Sequence, residues 1–229
     1  MKFVKSVVTA GLALALSVAA HATSSAQAWL ENYYKNPQPA QLVANVYDLS
    51  QEGYFTTAGQ PAIAIGFFAA VFAQNPAKVD QWFAQFRDLP VADQRLLASA
   101  LWQSGNAKGR EQLVRLSNDS GLRLEVVRLA HQPATSLAQT PVRSSSSMNL
   151  QWGAFLATGS EQHVTSILTA LGRGEPELTE ATRYALAEHA AAHPRVLAIC
   201  RDQLDRQPAS VRTLLQATVQ SVEAQKPTI

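Results

Sequence analysis

An all-α fold is predicted for this chain of 229 residues by three features of its sequence. Apolar residues recur with the 3.6-residue period of an amphipathic helix, and proline and glycine interrupt these runs. Eleven glycines and eleven prolines leave little room for irregular stretches. Only 16% of the residues are charged and 47% are hydrophobic, so the chain can build a sizeable core. We expect a right-handed, solenoid-like helical array of two related multi-helix units.

Residues 1–22 have the pattern of a secretory signal peptide. Lys2 and Lys5 form a basic start, and an uncharged, mostly apolar run extends from Val7 to Ala20. Residues 20–22 then give the small-x-small pattern that signal peptidases cleave. The run is shorter than the roughly 20 residues of a membrane-spanning helix. We therefore expect export to the periplasm or the medium, with no transmembrane segment after cleavage.

The first two helices of the mature chain are predicted from their apolar stripes and from the residues that end them. The first helix covers residues 26–35, where Trp29 and Tyr33 share one face, and Asn36-Pro37 ends it. The second helix covers residues 40–51 and ends at Gly53.

The third predicted helix, residues 61–73, is apolar on every side, which is typical of a helix buried in the core. Pro61 fits its first turn. Gly66 lies on a face of small residues, where another helix can approach closely. With 13 residues, this helix is too short to cross a bilayer.

Proline, glycine and capping residues also delimit the later helices. Ser160 is a natural N-cap, and Pro90 and Pro194 mark helix boundaries. Residues 122–129 suit a helix, although their alternating pattern leaves a short strand possible. The remaining predicted helices cover residues 76–88, 96–104, 107–117, 122–129, 148–158, 161–171, 179–193, 194–206 and 210–225.

A linker is predicted between two helical units, because Pro133, Pro141 and the serine run 144–147 follow each other closely. The expected domains are a first helical unit with connecting helices at residues 23–130, the linker at 131–148, and a second helical unit at 149–229.

An internal duplication is predicted for the two units. A fixed offset of 118 residues aligns Asn75-Pro76 with His193-Pro194, and Pro90 with Pro208. The same offset aligns apolar positions, such as Leu97 with Leu215. Repeated helical units that share a core are the basis of helical arrays.

Four segments of the mature chain resemble an uncharacterised group of bacterial exported all-helical proteins. The segments are Asn32-Tyr33-Tyr34-x-Asn36-Pro37, Gly66-Phe67-Phe68 through Asn75-Pro76, Ala100-Leu101-Trp102-x-Ser104-Gly105, and Trp152-Gly153-x-Phe155-x-Ala157-Thr158-Gly159. The resemblance implies export and a helical fold. It implies no activity and identifies no functional residue.

Charge and cysteine content narrow the possible partners. Removal of Lys2 and Lys5 with the signal peptide would leave 17 basic residues beside 17 acidic ones. A neutral chain argues against nucleic acid and against anionic membranes as partners. Cys200 is the single cysteine, so an intramolecular disulfide is excluded. A buried thiol is the expected state, and an intermolecular disulfide or a metal ligand is the alternative.

No catalytic motif is found. The sequence lacks a G-x-S-x-G elbow, a phosphate-binding loop and an H-E-x-x-H zinc motif, so we predict no catalytic residue and no cofactor. His189 and His193 are spaced to share one helix face and are the best metal-ligand candidates. A metal site needs further ligands that the spacing does not supply, so solvent-facing or capping histidines are the simpler interpretation.

An aromatic edge in the first third of the chain is the predicted binding surface, because tyrosine and tryptophan are enriched at interfaces. A purely structural role, in which these rings cap the end of the helical stack, is the alternative. We predict a non-enzymatic scaffold that binds an envelope protein or peptide. A periplasmic hydrolase of an envelope polymer, or a carrier of a metal or small molecule, remains possible. The residues of the edge are Trp29, Tyr33, Tyr34, Tyr54 and Phe55.

Overall fold

Twelve α-helices, without any β-strand, make up the regular structure of the residues that the structure describes, 23–118, 121–132 and 136–225. The structure is a computed structural model. The predicted all-α class is confirmed, and residues 122–129 belong to a helix. The signal-peptide prediction lies outside the described residues. The helices are α1 (Ser25–Asn32), α2 (Leu42–Gln51), α3 (Gln60–Gln74), α4 (Val79–Gln85), α5 (Val91–Gln103), α6 (Ala107–Leu116), α7 (Arg123–Ala130), α8 (Ser145–Thr158), α9 (Glu161–Leu168), α10 (Pro176–Ala192), α11 (Pro194–Gln203) and α12 (Ala209–Ala224).

Side-chain caps and prolines define where the helices start. The hydroxyl of Ser24 accepts a hydrogen bond from the backbone N–H of Gln27 (3.1 Å) and caps α1. Ser160 caps α9 in the same way, as predicted. Pro61 and Pro194 lie in the first turns of α3 and α11, where the missing N–H of proline leaves no hydrogen bond unmade.

The contact between α3 and α8 organises the core. A Cβ atom on Gly66 of α3 would lie 2.8 Å from the carbonyl carbon of Leu150 and closer still to its oxygen. A Cβ atom on Gly153 of α8 would lie 2.7 Å from the backbone nitrogen of Phe67 and closer still to the Ile63 oxygen. The two backbones are therefore in direct contact, which confirms that the small-residue face of α3 receives another helix.

The other faces of α3 are covered as well, as the predicted core helix requires. Phe67, Phe68 and Phe72 have no exposed surface. The rings of Phe67 and Phe68 meet edge to face at 5.3 Å between centroids. Aromatic pairs in this geometry add stability beyond the area that they bury.

The remaining helices surround this central pair. α5 packs against α3, α10 contacts α8, α11 and α12, and α1 contacts α2 and α8. In a linear solenoid each unit contacts only its neighbours in sequence. Here α3 and α8, from the two predicted units, form the most extensive contact between described helices. The solenoid-like arrangement is therefore not confirmed.

The predicted linker is partly built into the fold. Leu137 and Val142 are buried, with residues 137–139 forming a short 3₁₀ turn. The side-chain amide of Gln151 donates hydrogen bonds to the carbonyl oxygens of Leu137 (2.7 Å) and Thr140 (3.0 Å). Residues 133–135 are outside the described part.

The serine run at the end of the predicted linker also differs from the prediction, because it starts α8. Ser144 and Ser147 form a reciprocal capping box, in which each side chain bonds to the backbone N–H of the other. α8 therefore begins at Ser145, inside the predicted linker 131–148. A serine run has the composition of a linker, but its first and fourth hydroxyls also satisfy the free N–H groups of a helix start.

The two segments of the predicted duplication share the order of their α-helices, although the 3₁₀ turn Pro76–Lys78 before α4 has no separate counterpart before α11. α4 and α11 both continue into a 3₁₀ turn, Phe86–Asp88 and Leu204–Arg206 respectively. Pro90 and Pro208 then occupy the N-cap positions of α5 and α12 with similar backbone angles. Superposition of the two segments in space stays a prediction.

No single described helix is long and apolar enough to span a membrane. Two consecutive segments, Gln60–Gln74 and Pro76–Asp88, reach that length and composition together but are bent by 100° at their junction.

Candidate functional site

The aromatic edge predicted from the sequence lies mostly inside the protein. Tyr33 is 2% exposed, and its ring packs edge to face against Trp29 and Phe67, with centroid distances of 5.2 Å in both cases. Tyr54 and Phe55 are also buried. The prediction that these three residues form an exposed binding edge is therefore wrong, because the turns that carry them turn the aromatic rings inward, where Tyr33 meets Phe67 and Phe55 meets Phe68 of α3.

Trp29 and Tyr34 are partly buried, and Tyr34 leads to a different part of the molecule. The hydroxyl of Tyr34 lies 3.4 Å from Nδ1 of His193. The ring of Tyr34 lies against Gly159, where an added Cβ atom would come within 2.9 Å of it. Gly159 ends α8 with a left-handed φ of 63°, so it suits both the turn and the close contact.

His189 and His193 share one face of α10 and its C-terminal cap, as their spacing predicts. Their rings stack with a centroid distance of 5.8 Å. The ring of His189 also stacks on Trp152 of α8, at 3.9 Å and an interplanar angle of 22°. Within the described residues, no group of three or more histidine, cysteine or acidic side chains is placed to hold a metal ion. The observed partners of these histidines are aromatic rings.

A cleft of about 340 Å³ opens beside this stack, and we call it the Trp152 cleft. It lies where α1, α3, α8 and α10 meet the turn at residues 54–56. Ile63 and Leu156 contribute apolar walls. The polar and aromatic residues that line the cleft are Glu31, Tyr54, Gln60, Asn149, Trp152, Glu188, His189 and His193. Tyr54 and the two histidines, predicted separately from the sequence, thus meet at one place.

Burial keeps the histidines of the cleft neutral. Burial, with a smaller contribution from the neighbouring His193, lowers the pKa of His189 to about 3. The pKa of His193 is also lowered, first by burial and then by the positive charge of Lys35. Both imidazoles are therefore uncharged at neutral pH, and the formal charges of the lining residues are those of Glu31 and Glu188.

Burial also changes the pKa values of two acidic groups of the cleft. Burial raises the pKa of the Glu31 carboxyl above its ordinary value. Burial also raises the pKa of the Tyr54 hydroxyl, and the nearby negative charge of Glu31 adds to the effect. Glu31 and Tyr54 are therefore close enough to interact, and Tyr54 stays protonated.

Several polar groups of the cleft are left without partners in the described part of the chain. Trp152 is 1% exposed, and its indole N–H has no hydrogen-bond acceptor. The Tyr54 hydroxyl and the carboxylates of Glu31 and Glu188 make no side-chain hydrogen bond or ion pair with a described residue. Buried polar groups are usually paired in folded proteins. Glu31 and Glu188 are exposed, so the buried unpaired group of this cleft is the indole N–H of Trp152, which suits a ligand with a hydrogen-bond acceptor.

A larger cavity, of about 460 Å³, lies between α3, α5, α7 and α8. Its charged residue, Arg128, is already engaged by Glu125 through two hydrogen bonds, one of them at 3.0 Å. The pKa of Glu125 is held below its usual range, chiefly by that guanidinium. The side-chain oxygen of Gln103, which also lines this cavity, is buried and has no hydrogen-bond partner in the described part of the chain, whereas the unpaired indole N–H of Trp152 belongs to the Trp152 cleft.

The thiol of Cys200 is not suited to a catalytic or metal-binding role. It is 1% exposed, and burial raises the pKa of its thiol to about 12. A protonated, buried thiol is a poor nucleophile and a poor metal ligand.

Sequence reasoning missed Glu31 and Trp152 as parts of the site. Neither residue has a spacing that relates it to α10, because each reaches the cleft only through the packing of α1 and α8. Glu188 directly precedes His189 in the sequence.

No protein-family model matches this chain, and no curated protein or solved structure shows significant similarity to it.

Proposed function

We propose that this protein is an exported, non-enzymatic binding protein whose small organic ligand occupies the Trp152 cleft. The observation that carries the proposal is the unpaired indole N–H of Trp152, a buried donor in a residue that lines the cleft. A volume of about 340 Å³ is at the lower end of the range for small-molecule sites. Export is supported by the signal-peptide pattern of residues 1–22 and by the resemblance to exported helical proteins.

Rigidity of the surroundings supports binding at this place. Trp152 and Gly153 are neighbours on α8, so one wall of the cleft is fixed by the backbone contact between α8 and α3. The stack of His189 on Trp152 fixes the opposite wall on α10. A site whose walls are already ordered loses little conformational entropy when a ligand binds.

The test uses a bulky residue to block the cleft. Ala192 lines the cleft but is exposed, so Ala192→Trp fills the opening without disturbing the core. Ala191→Trp is the matched control, since Ala191 is exposed on the same turn and is not part of the lining. Backbone NMR spectra of each protein are recorded with a panel of small aromatic and aliphatic probes.

We expect probes to shift the resonances of cleft residues in the wild type and in Ala191→Trp, and not in Ala192→Trp. Equal shifts in both variants would place the binding elsewhere. A panel that leaves the cleft resonances of the wild type unchanged would contradict the proposal.

A second candidate, hydrolysis of a glycan, is favoured by the pair of carboxyls in the cleft. Glycosidases use two acidic residues, of which the general acid has a raised pKa. Burial raises the pKa of Glu31, and Glu188 lines the same cleft. Release of soluble sugars from purified cell-wall glycan, lost in Glu31→Gln and kept in Glu177→Gln, would establish this activity. No release by the wild type would dismiss it.

A further inference from the structure

We propose that the cavity of about 460 Å³ between α3, α5, α7 and α8, which we call the Gln103 cavity, is a second ligand site. Its ligand is an uncharged, largely apolar alcohol whose hydroxyl group donates a hydrogen bond to Gln103. The volume lies within the range of small-molecule sites. Neither Trp152 nor His189 lines this cavity, so a ligand here makes no use of the Trp152 cleft.

The first observation is a buried hydrogen-bond acceptor without a donor. Gln103 is the last residue of α5 and lines the cavity. Its side-chain oxygen, Oε1, is shielded from water, and no described residue donates a hydrogen bond to it. Buried polar groups of folded proteins are nearly always paired, and an unpaired group carries a cost of desolvation. A donor on a ligand would remove that cost.

The second observation is an uncovered part of the core helix. α3 is apolar between its terminal glutamines, and its residues 66–72 are buried. Near the start of the helix, Pro61, Ala62 and Ile65 are only partly buried, and all three line the Gln103 cavity. Leu129 of α7 adds to the apolar wall. An apolar molecule in the cavity would remove this surface from contact with water.

The charges beside the cavity already have partners. Arg128, the charged residue among the described lining residues, donates two hydrogen bonds to Glu125, one of them at 3.0 Å. The hydroxyl of Ser99 donates another, at 3.0 Å, to the same carboxylate. A charged ligand would therefore find no free counter-charge to offset its loss of water, and an uncharged ligand is favoured.

The group that pairs with Oε1 of Gln103 must be a donor without charge. A carbonyl or ether oxygen only accepts, and it would face Oε1 with no hydrogen between them. An amide N–H donates, but its carbonyl oxygen would need a second partner at an apolar wall. A hydroxyl group donates and brings no second polar group, so an alcohol fits the cavity best.

The experiment compares cyclohexanol with cyclohexanone by NMR titration of the purified protein. The two probes have the same carbon ring and similar size, but the ketone oxygen can only accept. We expect cyclohexanol to bind in the Gln103 cavity at least about fivefold more tightly, as one hydrogen bond to a buried acceptor allows. Resonances of Leu129 and of the Gln103 side-chain amide report on this cavity, and that of the Trp152 indole N–H reports on the cleft. Gly59 and Asn149 line both sites and are not used as reporters.

A variant without the acceptor locates the effect. Gln103→Met removes the amide and keeps a flexible side chain of similar length. It should abolish the preference for cyclohexanol over cyclohexanone. Because Oε1 has no donor to lose in the free protein, Gln103→Met should also keep or raise the unfolding midpoint in urea. Gln162→Met, an exposed change on α9, is the control and should alter neither the preference nor the midpoint.

The contrary results are equally specific. Equal affinities of the two probes for the wild type would overturn the alcohol site, and so would shifts confined to the Trp152 indole and its neighbours. A clear loss of stability in Gln103→Met would mean that Oε1 is paired in the free protein, which also overturns the site. The Trp152 cleft has its own probes and variants, so either site can fail without the other.

Discussion

Gly66 and Gly153 lie at the crossing of α3 and α8, and each is in contact with the backbone of the opposite helix. The relationship is reciprocal. Gly66 faces Leu150, three residues before Gly153, while Gly153 faces Ile63, three residues before Gly66. One side chain at either position would separate the two central helices, and the walls of the Trp152 cleft depend on that contact.

Gly66→Ala and Gly153→Ala should therefore destabilise the protein, although alanine is the better helix former. Helix propensity alone would stabilise each variant by about 1 kcal/mol. Overpacking of a close contact costs about 1–3 kcal/mol, and more when the neighbour is backbone that cannot move aside. We expect lower unfolding midpoints in urea for both variants. Ala73→Leu adds bulk at an exposed position of α3 and should change stability by less than about 0.5 kcal/mol. A midpoint for Gly153→Ala that equals or exceeds the wild-type value would refute the close contact.

Local patterns were sufficient to predict the helices and the central position of α3, because a run such as residues 61–73 is apolar whatever surrounds it. They were not sufficient for the linker. Leu137 and Val142 are buried, and the carbonyl oxygen of Leu137 accepts a hydrogen bond from Gln151, which lies on α8 and so beyond the part of the linker that it contacts.

The candidate site shows the same division between local and long-range information. The spacing of His189 and His193 indicated one shared helix face, which the structure has. The stacking of His189 on Trp152 and the approach of Glu31 to Tyr54 involve residues distant in sequence. No period or motif relates such pairs, so only the packed structure brings them to one cleft. Their position beside loops predicts that these aromatic residues are exposed. The structure instead turns Tyr33, at the end of α1, inward and buries it.

Tyr33→Ala should destabilise the fold rather than remove a binding contact. The ring is 2% exposed and packs against Trp29 and Phe67, and removal of a buried aromatic side chain typically costs about 3–5 kcal/mol. Tyr184→Ala is the control, because Tyr184 is 74% exposed and should tolerate the change. Thermal unfolding of both variants decides the matter. Equal melting temperatures for Tyr33→Ala and Tyr184→Ala would show that the ring of Tyr33 is not part of the core.

Gln151→Leu should loosen the segment at residues 136–142. The amide N–H groups of Gln151 hold the carbonyl oxygens of Leu137 and Thr140, and its side-chain oxygen lies 2.8 Å from Nδ1 of His163. Since both amide hydrogens are already used, Nδ1 of His163 must be the donor in that pair. Leucine removes the partners of the Thr140 oxygen and of the His163 Nδ1–H, and leaves the Leu137 oxygen with its bond from the Thr140 backbone N–H alone, at a cost of about 1–3 kcal/mol for each unpaired group that water cannot reach.

Hydrogen exchange measures this effect directly. Amides of residues 136–142 should lose protection in Gln151→Leu, while Gln162→Leu, an exposed substitution on α9, should leave them unchanged. Unaltered protection in Gln151→Leu would mean that the segment is held by its apolar contacts alone.

The stability of the protein should fall as the pH is lowered from 6.5 towards 4.5, partly because of two buried histidines. Burial lowers the pKa of His163 to about 4 and that of His189 to about 3, below the ordinary value of about 6.5 that applies in the unfolded chain. At pH values between the folded and unfolded pKa values, the unfolded state binds more protons than the folded state. The contribution of the two histidines to the free energy of unfolding is therefore complete above pH 6.5 and decreases below it. Each histidine contributes a slope of up to about 1.4 kcal/mol per pH unit.

Urea unfolding at a series of pH values gives the slope of stability against pH, and His189→Gln should make it shallower, whatever its effect on stability at pH 7. His131→Gln should keep the wild-type slope, because His131 is exposed at the end of α7. If the slope is equally steep in His189→Gln and in His131→Gln, His189 is protonated in the folded protein. The neutral stack of His189 on Trp152 would then have to be abandoned.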